Sequence, residues 1–408
     1  MATIIDNIPV WGDHDEGTLN QIRRCAADEC VAGAALMADG HLGYAMPIGG
    51  VVAYRDAISP NGVGFDISCG NKAAKTPLRA DDIRGEIGAI MDEVARTVVF
   101  GIGRTSGKNV DHPLFDDPTW RDIPAVGKLR QLAREQLGTV GSGNHYVDIL
   151  EDEEGFVWVG VHFGSRGLGH RTATGVLNLA AGRAFEDKSP GESMDAPAVV
   201  LPLRSALGQD YYAAMQLAGR YAYAGRDFVV EQVLAILGTT AGDEVHNHHN
   251  YAWLETHNGE EVMVVRKGAT PAFPGQRGFI GGSMGDISAI VEGVASDESR
   301  LALHSTVHGA GRVMSRTRAA GKRRWTKEHG RRVQKTIKAG EISRAMMLDW
   351  LHREGVELRG AGTDESPHVY RRLPEVLAVH AGTIRILHTL KPLGVAMAGE
   401  DEFDPYKD

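Results

Sequence analysis

A mixed α+β fold is predicted by three features of this sequence. Apolar residues recur at helical spacing in several stretches, strand-like runs come in pairs around turn signals, and glycine-dense segments bearing a histidine or cysteine sit beside those runs. In chain order, the first helix is read over 19–36, followed by a turn-rich, strand-like region over 37–74 with its clearest strand at 49–54. Ala80-Asp81-Asp82 offers an N-terminal cap, and Ile83, Ile87, Ile90 and Met91 then recur on one face, which predicts a helix over 80–98. Gly, Asp and Pro mark 105–119 as a loop, and a further helix falls at 125–137. Strands at 146–150 and 157–161 flank an acidic turn, 151–155, as in a hairpin. Helices over 169–186 and 208–237 follow, separated by the polar loop 187–198. The aromatic stripe of the second, with Tyr212, Tyr221 and Phe228, reads as core packing. Residues 252–265 predict a strand pair turning at Asn258-Gly259, with a glycine-rich loop running on to Gly285. Segments 326–337 and 341–353 read as helices, 384–397 as a final strand, and the acidic end 400–408 as a disordered tail.

The composition narrows the function classes. Hydrophobic residues at 42% and charged residues at 24% are those of a soluble globular protein, and 408 residues suffice for one large domain or two to three ordinary ones. The opening segment has neither a basic nor an apolar leader region. No apolar run approaches the roughly 18 to 20 residues needed to cross a bilayer, so a cytoplasmic protein with no membrane partner is expected. Three cysteines argue against a disulfide framework, with Cys25 and Cys30 read as structural thiols. A net charge of -9 disfavours a non-specific polyanion coat. The basic strip from Lys322 to Lys338 can still act locally within a Debye length of roughly 8 to 10 Å, or be a solvated helix face.

The most informative stretch is Gly62-Val63-Gly64-Phe65-Asp66-Ile67-Ser68-Cys69-Gly70, where a carboxylate precedes a thiol by three residues on a backbone of little bulk. One hard and one soft donor facing one point suit a metal ion. Histidines in glycine-flanked or polar segments accompany it: His145 after Gly-Ser-Gly-Asn, His162 before Phe-Gly-Ser-Arg-Gly, and His249 between His248 and Asn250. Any one of these taken singly is better explained by a satisfied structural role; together they point to a metal site assembled from separate strand-end loops. His308, in His-Gly-Ala-Gly-Arg, places an imidazole beside bare backbone and a guanidinium, the parts needed for nucleophilic attack at phosphorus, whereas the bland alternative is a turn histidine. Arg266-Lys267-Gly268 and Gly281-Gly282-Ser283-Met284-Gly285 add phosphate-suited segments.

These segments, with Met37-Ala38-Asp39-Gly40-His41-Leu42-Gly43-Tyr44 at the front and Val313-Met314-Ser315-Arg316 after His308, form an ordered series from about residue 37 to 399. The series resembles that of the RtcB family of GTP-dependent RNA ligases. The resemblance implies a single large mixed α/β domain over 1–399, with strand-end loops converging on a dinuclear site and 169–237 as a peripheral helical segment. It implies two Mn2+ ions and GTP as cofactors, and as partner an RNA with a 3'-phosphate or 2',3'-cyclic phosphate end and a 5'-hydroxyl end, as in tRNA splicing or RNA repair. Residue by residue, it makes Cys69 the bridging thiolate, puts His145 on one ion and Asp66, His162 and His249 on the other, and makes His308 the histidine that becomes guanylylated. Asn144, Asp148, Asn250, Ser283, Ser288, Ala310 and Gly311 match nucleotide contacts, and Arg166 and Arg312 match phosphate or RNA contacts. An activating protein and the oligomeric state are left open.

Two positions depart from the family pattern. Asp148 stands where the family usually has Glu, and Ala398-Gly399 where it usually ends in Lys-Gly, both associated with the guanine base. A shorter acid and a missing donor weaken base-edge pairing but leave the phosphoryl chemistry untouched. The alternative reading is therefore a metal-dependent RNA-end phosphoesterase or nucleotidyl carrier with altered nucleotide preference; a third is an idle RNA-end or metal-binding paralogue.

Overall fold

In the computed structural model, which describes residues 1–107, 110–188, 194–328, 331–400 and 402, the chain builds two large sheets whose facing ends enclose the site. The first, six-stranded, runs Thr3–Ile5, Ile8–Val10, Val31–His41, Ile48–Tyr54, Glu260–Lys267 and Asn250–His257 across its width. The second, eight-stranded, has the order Asp243–His248, Gly70–Arg79, Phe156–Phe163, Tyr146–Asp152, Ile384–Gly399, Ser288–Gly293 and Arg277–Ile280, with Glu357–Ala361 parallel to Ile384–Gly399. The mixed α/β fold expected from the sequence is the one observed.

Several expected elements form where the residues ask for them. The hairpin Tyr146–Asp152 with Phe156–Phe163 and the pair Asn250–His257 with Glu260–Lys267 both appear, the latter with Asn258 at φ 53° and Gly259 at φ 81°. Helix formation over 80–98 is interrupted by a 3-10 turn between Ala80–Ile83 and Ile87–Thr97. The expected helix at 125–137 divides into Pro124–Gly127 and Arg130–Gln136.

Two stretches differ in kind. The first helix ends at Ala26, and Val31–His41 is a strand, so 19–36 holds two elements where one was expected. Residues from Leu36 to Ala38 are almost entirely buried between the core clusters, and that burial overrides the helix propensity of an Ala-rich run. The basic segment expected as a helix over 326–337 is instead a hairpin, Gly321–Glu328 antiparallel to Arg331–Ala339. Of the tail 400–408, residues 401 and 403–408 lie outside the described residues.

The long helix Ala206–Ile236 is capped by Ser205, whose hydroxyl accepts from the Gly208 amide at 3.0 Å. Its first half, with Tyr211, Met215 and Tyr221, packs into the core under the six-stranded sheet; its second, with Val229, Val230 and Val233, packs against the eight-stranded one. This helix joins the two cores, a more central place than the peripheral one expected of 169–237.

Candidate metal centre and nucleophile

Four neighbouring strands of the eight-stranded sheet bring the dispersed donors to one end. Cys69 immediately precedes Gly70–Arg79, His145 immediately precedes Tyr146–Asp152, His162 is next to last in Phe156–Phe163, and His249 immediately follows Asp243–His248. Because these strands alternate in direction, two starts and two ends coincide: His248 pairs with Gly70, Phe163 with Gly70, and His162 with both Asn71 and Tyr146. The backbone closes the arrangement further, with the His249 amide donating to the Cys69 carbonyl at 2.9 Å and the Ser68 amide to the Asn250 carbonyl at 2.7 Å.

Asp66 reaches the same point through a local device. A one-turn helix, Pro60–Val63, is capped by Ser59 and stopped at Gly64, and the Cys69 amide then donates back to the Asp66 carbonyl at 3.1 Å. Gly164 leaves room for the carboxylate, since a Cβ there would stand 2.2 Å from Asp66 Oδ1. Cys69 Sγ lies 3.2 Å from His162 Nε2 and 3.6 Å from His145 Nε2; Asp66 Oδ2 lies 3.0 Å from His145 Nε2, and the Nε2 atoms of His162 and His249 are 3.4 Å apart. Two triads share the thiol: Asp66, Cys69 and His145, and Cys69, His162 and His249. The geometry therefore groups Asp66 with His145, where the resemblance implied Asp66 with His162 and His249; the three-residue turn that ties Asp66 to Cys69 directs the carboxylate to that side.

The chemistry of this donor set fits divalent metal. Nδ1 of His145 lies 2.9 Å from the Val140 carbonyl and Nδ1 of His162 lies 2.9 Å from the Asn144 carbonyl. Each pairing suits the tautomer with its proton on Nδ1, which would free Nε2 to ligate a bound cation. Burial, then the charges of His145 and His308, pulls His162 down to about 3, and burial holds His249 well below the usual histidine range, so both are neutral at physiological pH. Burial raises the Asp66 carboxyl but the His145 hydrogen bond and charge outweigh it, keeping it below the usual carboxylate range. Burial and the neighbouring Asp66 push the Cys69 thiol well up, so a bound cation is what would hold it as thiolate.

His308 arrives from the other side. It follows the strand Ser305–Val307, and its ring lies 4.9 Å, centroid to centroid, from that of His249. Asp39, fully buried in the first sheet, accepts at Oδ2 from the His308 backbone amide at 2.9 Å and from Nδ1 at 2.6 Å. Burial would raise Asp39, but the charge and hydrogen bonds of His308 keep it below the carboxylate range. A carboxylate on Nδ1–H fixes the tautomer with the lone pair on Nε2. Gly311, at φ 74°, lets the following loop pass the Asp39 carbonyl, which a Cβ would approach to 2.3 Å.

A cavity of about 630 Å³ opens beside these groups, within the range of small-molecule sites. Asn144, Asp148, Asn250, Ser283, Ala310, Gly311 and Arg312 line it, together with Asp66, Cys69, His162, His249 and His308. Two expected contacts are not on its wall. Ser288 accepts from the Gly282 amide at 3.0 Å and so shapes the Gly282-Ser283 turn, and Arg166 donates to Thr139 Oγ1 at 3.1 Å and the Gly101 carbonyl at 3.0 Å. Arg266 is likewise structural, fully buried with Glu255 at 2.6 Å and Ser305 at 2.7 Å. Asn250 lines the cavity while its amide group ties Asp66 to Gly268, donating to the Asp66 carbonyl at 3.2 Å and accepting from the Gly268 amide at 2.7 Å. Asp148 is buried, its Oδ1 has no hydrogen-bond partner among the described residues, and burial raises its carboxyl well above the usual range.

The sequence reading missed the role of Asp39, although it lies in the run 37–44, because that role comes from its burial opposite His308. Also unanticipated on the cavity wall are Arg316, Glu365 and Tyr370, with Arg316 Nη1 3.1 Å from Glu365 Oε1. Among the described residues no helix is long and apolar enough to cross a membrane.

This arrangement defines a class: a two-triad donor cluster sharing one thiol, adjoining an oriented imidazole at the mouth of a nucleotide-sized cavity. A family model described as tRNA-splicing ligase RtcB matches residues 21–121 and 120–398, and the chain belongs to that family. It is 32% identical over 382 residues to the RNA-splicing ligase RtcB of Escherichia coli (strain K12), covering 88% of each chain. It is also 32% identical to the tRNA-splicing ligases RtcB of Thermococcus kodakarensis and Archaeoglobus fulgidus, over 441 and 443 residues, covering 88% of this chain and 86% of each relative.

Proposed function

We propose that this protein is an RNA ligase that joins a 3'-phosphate or 2',3'-cyclic phosphate end to a 5'-hydroxyl end through guanylylated His308. The observation that carries the reading is the pairing of His308 Nδ1 with buried Asp39 at 2.6 Å, beside a donor cluster suited to two divalent cations. Family membership supports the RNA substrate, and the names of its relatives place them in RNA and tRNA splicing.

In this reading Nε2 of His308 attacks the α-phosphorus of GTP, the bond to the bridging oxygen breaks, and pyrophosphate leaves. The GMP passes to the RNA 3'-phosphate, and attack by the 5'-hydroxyl at that phosphorus closes the phosphodiester and releases GMP. A cyclic phosphate is first hydrolysed to a 3'-phosphate. Asp39 holds the ring and balances the charge it gains, while the Ala310-Gly311 loop lets a phosphate approach bare backbone. Two Mn2+ ions, held by Asp66, Cys69, His145, His162 and His249, would supply charge neutralisation at phosphorus. Incubation with Mn2+ and labelled GTP should yield an acid-labile, alkali-stable protein adduct. Equal labelling of His308→Ala would remove the nucleophile from the account.

A second reading concerns base preference. Asp148 pairs in register with Val395, and Val395 and Met397 both line the cavity beside it, an apolar surrounding for a short acid. This favours a nucleotide preference altered from guanine, and an RNA-end phosphoesterase or nucleotidyl carrier where joining fails. Competition of ATP against GTP for adduct formation tests it.

A further inference from the structure

Arg226, on the long helix Ala206–Ile236, is completely buried, and no carboxylate pairs with it among the described residues. Nearby positions facing the same core are Val229, Val230 and Val233, so filling space alone would call for an apolar side chain here. Its donors instead divide among the segments that carry the metal donors. Nη1 donates to the Ser68 carbonyl at 3.1 Å and to the Phe163 carbonyl at 2.5 Å; Nη2 donates to His248 Nδ1 at 3.0 Å and Nε to His246 Nε2 at 2.8 Å. Ser68, Phe163 and His248 are the chain neighbours of Cys69, His162 and His249.

We propose that Arg226 is the positioning residue of the Cys69, His162 and His249 triad: one guanidinium fixes the three segments, distant in sequence, at the separation the shared thiol requires. A planar fork of five donors suits the task, since its directions are set by its own geometry, whereas an ammonium is a point charge on a flexible stem. Because guanidinium only donates, His246 and His248 must accept, which settles their tautomers. His246 Nδ1 then faces Asp227 Oδ1 at 3.5 Å, and Asp227 in turn receives Lys72 at 2.7 Å. The chain of partners thus runs from the triad outward to the partly exposed Asp227, anchoring the fork at its far end.

This inference rests on the metal-site reading, and the test separates the two. Mn2+ titration calorimetry on wild type, Arg226→Lys and Arg226→Met is combined with the thiolate-to-metal absorption of the Co2+-loaded proteins and with unfolding of the metal-free proteins. Both variants should bind Mn2+ about 10- to 100-fold more weakly, with a displaced or weakened Co2+ band, and the lysine should not rescue. Wild-type affinity and spectrum in either folded variant would overturn the proposal. Should both variants fail to fold, His246→Ala, which removes the acceptor of the Arg226 Nε and its link to Asp227 while leaving the guanidinium in place, replaces them: a several-fold weaker affinity is expected, and an unchanged one overturns the proposal. If wild type itself binds no Mn2+, the metal-site reading falls and this inference with it.

Discussion

The two sides of the cavity are built on different principles. The donor end of the eight-stranded sheet is over-determined: four adjacent strands, the Cys69–His249 backbone link and two ring-to-carbonyl bonds fix it from many directions. His308, by contrast, takes its orientation from one carboxylate reaching out of the other sheet. Metal binding should therefore survive loss of the nucleophile, whereas the nucleophile should depend heavily on a single residue that touches no metal donor.

The largest effect expected is from Cys69→Ser, which removes the donor common to both triads. Mn2+ affinity should fall by roughly 10²- to 10³-fold, since hydroxyl is a poor substitute for thiolate; calorimetry showing two ions still bound would break the shared-thiol assignment. Next, Asp39→Asn should slow adduct formation by about 10²-fold or more while leaving Mn2+ affinity near wild type, because the amide no longer fixes the Nδ1–H tautomer. Adduct formation at the wild-type rate would show that His308 is held by something else.

A smaller effect follows from two histidines, one on each side of the cavity, whose charged form burial disfavours. His162 is depressed to about 3 in the fold, and His41, on the cavity wall, to about 4, while an unfolded imidazole titrates near 6.5. Their contribution to stability is complete above about pH 6.5 and is lost as pH falls towards those lower values, because the unfolded chain takes up the protons first. The unfolding temperature of metal-free protein should drop across this window, and drop less in His162→Gln. Equal slopes for the two proteins would deny His162 its buried, neutral state. Smallest of all, Asp148→Asn should alter stability by no more than about 1 kcal/mol, since burial already disfavours the charged form of the acid, yet it should shift the ratio of GTP to ATP used. An unshifted ratio would separate Asp148 from base recognition.

The same contrast explains what could be read from the sequence. The proposed metal donors are visible in the sequence: the chemistry of Cys69 with Asp66, and of histidines beside glycine, is local even though their meeting place is not. Asp39 had no such mark, because its value comes from being fully buried opposite a residue 269 positions away. Arg226 is the same case, a cation within a helix whose partners lie on three other segments. Residues 31–36 of the expected helix 19–36 and the basic segment 326–337 read as helical from residues that favour helices, and strand pairing decided otherwise. Where pairing was encoded by a tight turn, as at Asn258-Gly259, the strands were legible.

The most direct measurement is anomalous scattering from crystals of the protein grown with Mn2+. The account predicts two peaks sharing Cys69 Sγ, one also contacting Asp66 and His145 and the other His162 and His249, with the His308 ring facing the cavity beside them. A single peak away from Cys69, or none at this end of the sheet, would contradict it.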